Sequence, residues 1–139
     1  MTTRYAILPE LNLILYVCEG VITREEFYSV QEEVIHRKGD VPHMVSILDL
    51  TRASLDFNLD DMKYAIEWSR TKMEQGHKFG PMVIITLDKG IKLVVDTLNL
   101  MSTKVDMDIK AFGSIEQAIA YLGLDHQQQI VDAIVSMQN

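Results

Sequence analysis

The sequence predicts a single α/β domain built on a mixed, mostly parallel five-stranded sheet, in the order β-β-α-β-α-β-α-β-α-α. Three observations predict it. Two apolar runs open the chain, separated only by Pro9-Glu10-Leu11-Asn12, and so short a connection makes an antiparallel hairpin. Apolar runs then alternate with stretches of helical periodicity, which calls for parallel pairing and right-handed crossovers. Finally, the chain has 139 residues, 47% of them hydrophobic and 24% charged, with no linker or internal repeat. That is enough for one core and too little for two.

The elements follow in order. Tyr5-Ala6-Ile7-Leu8 reads as a short strand, and Leu13-Ile14-Leu15-Tyr16-Val17-Cys18 as a stronger one. Its unbroken apolar character suits a strand covered on both faces. After Gly20, Thr23-Arg24-Glu25-Glu26 fits a capping box, with Phe27, Val30 and Val34 at helical spacing behind it. Gly39-Asp40-Val41-Pro42 stops that helix, and Met44 to Leu50 forms a third strand. Thr51 to Phe57 reads as a loop. Asn58 caps a long helix with Asp60 and Asp61 in its first turn, where carboxylates oppose the positive dipole end. Leu59, Met62, Ile66, Ser69 and Met73 make its stripe, Tyr64 and Trp68 lie on another face, and Gly76 ends it. Pro81 to Thr86 is a fourth strand. Asp88 caps a helix with Ile91, Val94, Val95, Leu98 and Met101 inward. Met107 to Ala111 is a fifth, edge-type strand. Ser114-Ile115-Glu116-Gln117 is a second capping box, its helix stopping at Gly123, and a last helix spans about Asp125 to Met137.

Composition excludes several functions. Thirteen basic against twenty acidic side chains leave a net charge of -7, the wrong sign for a broad nucleic-acid footprint. Much of the acidity sits at helix starts, and no lysine or arginine occurs from Ala111 onward. The longest apolar run, Leu13 to Cys18, is too short to span a bilayer. Met1-Thr2-Thr3-Arg4-Tyr5 carries no export-signal pattern, and Cys18 has no second cysteine to pair with. A cytoplasmic protein is expected. Cys18 itself reads as a small buried hydrophobe.

Several segments resemble a known superfamily. Ile47-Leu48-Asp49-Leu50-Thr51 before a helix resembles the third strand of STAS domains, the domains of anti-sigma-factor antagonists. The stretch from Phe112 through Ser114, Glu116 and Ala118 to Tyr121-Leu122-Gly123 is similar to the F-x-S-x-E-x-A-x-x-W-L ending of small bacterial STAS-like proteins. Glu19-Gly20 followed by Thr23 resembles the family's second strand and helix start. The likeness covers about residues 4 to 123 and leaves the last helix outside. It implies a regulatory or protein-interaction module, without catalysis and without a cofactor, that binds a protein partner or pairs as a homodimer. The fold is shared with CRAL-TRIO lipid-transfer domains, so a small-molecule or lipid-binding domain is the alternative. That alternative requires an apolar cavity of roughly 300 Å³ or more. One departure matters. Antagonists of this family carry a D-S-S-G type motif with a phosphorylated serine after the third strand. This chain has Thr51-Arg52-Ala53-Ser54-Leu55-Asp56-Phe57-Asn58 there, with Asp56 or Asn58 at the serine's place. The resemblance therefore carries no phosphoswitch over.

Candidate sites follow from the topology. Ligands of parallel sheets sit beyond the carboxyl ends of the strands. That edge collects Glu19 and Thr23, then Asp49, Thr51, Arg52 and Ser54, then Thr86, Asp88 and Lys89, and finally Ser114. Backbone donors there, with Arg52 or Lys89, suit an anion. The competing reading is that these groups are ordinary helix caps. Asp56 to Glu67 has the length of a calcium loop, but Asp61 stands where that loop needs glycine. His36, His43, His77 and His126 are scattered, so no metal site is expected. Catalytic nucleophile, dinucleotide and phosphate-loop motifs are missing too. An enzyme would have to be built around Asp49, Arg52 and Asp88. Tyr64 and Trp68 on the long helix, with Leu93 and Leu100 on the next, are the interface candidates.

Overall fold

The computed structural model describes residues 2–38, 44–102 and 108–138. The helix stop at Gly39 to Pro42, His43 and the Met107 start of the fifth strand lie outside them. Five strands form one sheet in the spatial order of the sequence. β1 (Thr2–Leu8) pairs antiparallel with β2 (Leu13–Ile22). β3 (Val45–Leu55), β4 (Met82–Ile85) and β5 (Ile109–Phe112) then add in parallel. Between β1 and β2 the chain makes one 3-10 turn, Pro9–Leu11, closed by Asn12 in the left-handed region at φ 52°. Asparagine tolerates that conformation better than most side chains.

Each parallel strand is added on the same side of the one before, so right-handed crossovers put all three connecting helices on one face. These are α1 (Arg24–Lys38), α2 (Leu59–Glu74) and α3 (Lys89–Met101). After β5 the chain crosses to the other face and forms α4 (Ile115–Leu122) and α5 (Gln127–Met137). β2 therefore has helices on both faces, which explains its unbroken apolar run. Leu13, Leu15 and Val17 pack with Ile119, Ile130 and Ile134 under α4 and α5. Ile14, Tyr16 and Cys18 pack with Val34, Ile91 and Val95 under α1 and α3.

The sequence pattern fails at one place. Thr51 to Leu55 is not a loop but the continuation of β3, paired with β2 out to Leu55 opposite Ile22. β4 ends opposite Asp49, so beyond that point β3 has only one neighbour. Thr51, Arg52 and Ser54 are exposed there. Without cover, this length of strand has no reason to be apolar and reads as a loop. A bulge between Val17 and Glu19 shifts the β2–β3 register where the cover ends.

The caps form with variations. Asn58 and Asp61 make a full reciprocal box at the start of α2. At Ser114 the hydroxyl accepts from the Gln117 amide, but the Gln117 side chain returns to the Gly113 N–H. At Thr23 the hydroxyl accepts from the Glu26 amide at 3.4 Å, while Glu26 Oε2 is buried without a partner. Gly123 takes the left-handed conformation that ends α4.

α2 departs most from its expected stripe. Its buried positions are Ala65 and Ser69, while Leu59 is 56% exposed. Ala65 joins Tyr28 of α1 and Leu98 of α3 in a small cluster separate from the two clusters on the sheet. The inward side of α2 is thus made of small residues and leaves space beneath it.

Candidate functional site

The strand-end residues divide into two hydrogen-bonded groups. In the first, Asp49 is only 2% exposed and faces α5. Its Oδ1 accepts from the Thr51 amide at 3.0 Å and the Thr51 hydroxyl at 2.7 Å. Its Oδ2 accepts from the Gln138 side chain at 2.6 Å. Arg52 donates to the Gln138 carbonyl at 3.0 Å and stands 3.6 Å from Glu19. Arg4 of β1 donates to the Met137 carbonyl at 2.7 Å. A helix leaves its last carbonyls without intrahelical partners, and here two arginines from the sheet satisfy those of α5. The last helix, outside the family likeness, is therefore fastened to the candidates Asp49, Thr51 and Arg52.

The second group is the start of α3. The Thr86 hydroxyl accepts from the Asp88 amide at 3.0 Å, and Asp88 Oδ1 accepts from the Gly90 amide at 2.7 Å. A Cβ at Gly90 would approach that carboxylate oxygen to 3.1 Å, a tight contact. Lys89 and Ser54 are exposed. The strand order never reverses among the parallel strands, so the crevice that a reversal opens in doubly wound sheets is not formed. Among the described residues, no three His, Cys, Asp or Glu side chains are grouped to hold a metal ion.

Of the interface candidates, Trp68 is half-buried and held from several sides. Its ring lies 4.9 Å from that of Tyr28 and 5.9 Å from that of Phe79, and its Nε1 donates to Glu32 at 3.0 Å. Lys72 pairs with the same Glu32 at 2.7 Å, which holds this carboxyl below its usual range. Tyr64 meets Tyr28 edge-to-face at 5.1 Å with the Arg24 guanidinium over its ring at 4.5 Å, and is 40% exposed. Leu93 and Leu100 are 67% and 78% exposed, on the solvent side of α3 opposite Ile91, Val95 and Leu98.

A concave, mainly apolar pocket lies under α2. It holds a space of about 130 Å³ lined by α1, α2, α3 and the face of β2, β3 and β4, and it is partly open to solvent. Ile14, Leu48 and Ile84 line it from the sheet, and Tyr28, Trp68, Ala65 and Val94 from the helices. Gln31, Tyr16, Ser46, Ser69 and Asp108 are polar residues of its lining. The Tyr16 hydroxyl donates to Gln31 Oε1 at 3.4 Å, and Gln31 Nε2 is buried with no hydrogen-bond partner. Burial pushes the Tyr16 and Tyr28 hydroxyls far above their usual range, so both stay neutral. Cys18 lies in the same layer, its thiol pushed up to about 11 by burial. Sequence reasoning missed this site. The available signal was Gln31, a polar residue in phase with Tyr28, Val34 and Ile35, all buried on the inward side of α1.

No family model matches the chain, and no curated protein matches it. Among solved structures it is similar to an uncharacterised protein of the DUF3478 family from Shewanella loihica PV-4, which has a SpoIIAA-like fold. The superposition covers 86% of this chain and 93% of that one, with a TM-score of 0.59 and 15% identity. The chain has a STAS-like fold. At that identity the likeness establishes the architecture alone, and what this STAS-like domain binds has to come from its own side chains. Among the described residues, no helix is long and apolar enough to cross a membrane.

Proposed function

We propose that this STAS-like domain is a non-enzymatic binding module that takes a small, mainly apolar molecule in the cavity beneath α2. The cavity carries the reading. Close packing rarely leaves an apolar space of about 130 Å³ between helices and sheet, and one of about 150 Å³ is enough for a single aromatic ring. It is under half the roughly 300 Å³ of an ordinary ligand pocket, which favours a one-ring molecule over a lipid chain. The absence of catalysis is supported by the strand-end groups, whose hydrogen bonds serve helix ends. Asn58, which with Asp56 is one of the two residues at the place of the STAS phosphorylated serine, caps α2, which supports a module without that switch. The lone buried Cys18 suits a reducing, cytoplasmic setting.

Trp68 is the chain's one tryptophan and lines the cavity, so its emission reports occupancy. Titration with indole-sized neutral compounds should give a saturable change, lost in Ala65→Phe, which fills the space. A linear, unsaturable response identical in both proteins would remove the reading.

A second reading rests on Leu93 and Leu100. Two exposed leucines seven residues apart share one side of α3, which supports a homodimer or a protein partner. Sedimentation should then show a dimer that Leu93→Glu with Leu100→Glu converts to a monomer. A wild-type monomer at every concentration tested would dismiss self-association.

A further inference from the structure

The cavity reading leaves open which chemistry the ligand carries, and the polar lining constrains it. Gln31 is 8% exposed. Its carbonyl end faces the Tyr16 hydroxyl, which has the Ser46 hydroxyl as a further neighbour. Its amide end, Nε2, has no partner among the described residues. A buried donor left unpaired is unfavourable by the full cost of its desolvation, so its persistence in the lining of this mainly apolar space points to a ligand that accepts from it. The charge of the lining is the second constraint. Among the described residues, no lysine, arginine or histidine lines the cavity, and Asp108 is the one carboxyl that does. An anionic ligand would lose its hydration with no counter-ion in return and would face that carboxyl.

We infer that the ligand is a neutral single-ring molecule bearing one hydrogen-bond acceptor, such as a carbonyl, held by Gln31 Nε2. This rests on the cavity reading and narrows it. Ionised aromatic and fatty acids are rejected. A hydrocarbon of equal size is admitted but bound more weakly, because it leaves the amide unpaired.

The test compares three probes of nearly equal size: acetophenone, ethylbenzene and benzoate. Binding is followed by Trp68 emission and by the side-chain amide resonance of Gln31 in nitrogen-15-labelled protein. Acetophenone should bind about tenfold more tightly than ethylbenzene and shift the Gln31 amide. Benzoate should be the weakest. In Gln31→Leu, or in Gln31→Met should the first variant not fold, acetophenone should lose its advantage while ethylbenzene still binds. Equal affinities for acetophenone and ethylbenzene in the wild type would overturn the inference and leave the cavity reading standing. So would an advantage that survives loss of Gln31, or benzoate as the tightest probe. If none of the three binds, both readings fall.

Discussion

The two faces of the sheet are built from the same kinds of residue and end up differently packed. Under α4 and α5 the apolar side chains interlock: Ala118 is 0% exposed, Ile130 0% and Ile134 1%. The far end of that layer is fastened by Asp49, Arg52 and Arg4. Under α1, α2 and α3 the sheet is just as apolar, yet a cavity remains. Three helices on one face must span four parallel strands, and α2 rests on its neighbours through Tyr28 and Leu98. It turns Ala65 and Ser69 inward where bulkier residues would fill the gap. Ala65 and Ser69 are too short to reach Ile14, Leu48 and Ile84 on the sheet, and aromatic rings stand at the margin of the space between. One face is therefore closely packed and the other keeps a cavity.

The largest effect should come from the solid face. Ile134→Ala removes a fully buried side chain and should cost about 3 kcal/mol, read as a fall in thermal midpoint. A loss close to zero would mean that α5 is not part of the core. Next comes a matched pair. Ala118→Leu overpacks the solid face and should destabilise by about 2 kcal/mol, whereas Ala65→Leu enters the cavity and should be neutral or stabilising. Equal losses in denaturant titrations would erase the contrast. Asp49→Ala leaves the Thr51 and Gln138 donors unpaired and should cost about 1–2 kcal/mol, with earlier hydrogen exchange in the last turn of α5. Gln31→Leu should raise the stability of the ligand-free protein by about 1 kcal/mol, because it removes an unpaired buried amide.

The smallest effect is a pH response at the edge of the hollow face. Glu32 has its carboxyl held below the ordinary value of 4.5, chiefly by Lys72. Since the folded value is the lower one, its stabilisation is present above pH 4.5 and is lost as the pH falls below it. The pair is open to solvent and screened, so global stability should change little. Trp68 emission should nonetheless shift as its Nε1 loses the Glu32 carboxylate, and Glu32→Gln should abolish that pH dependence.

Most of the architecture was legible along the chain because its signals are local. The apolar run from Leu13 to Cys18, the caps at Asn58, Asp88 and Ser114, and the stop at Gly123 each depend on near neighbours in sequence. The strand order then fixed which helices share a face. Thr51 to Leu55 escaped because its exposure reflects where β4 ends, a fact that lies thirty residues away in sequence. Asp49 and Arg52 were placed at the strand ends by their position, but the residue that bonds to both, Gln138, is eighty-nine residues from Asp49.

By itself, then, the sequence determined the α/β class, the element order, the helix ends and the acidic helix starts, since periodicity and capping act over a few residues. Only the tertiary structure decided that Asp49 fastens the last helix and that Gln31 faces a cavity with its amide unpaired. Both depend on which distant helices come to rest above which strands, and on how much space their side chains leave when they do.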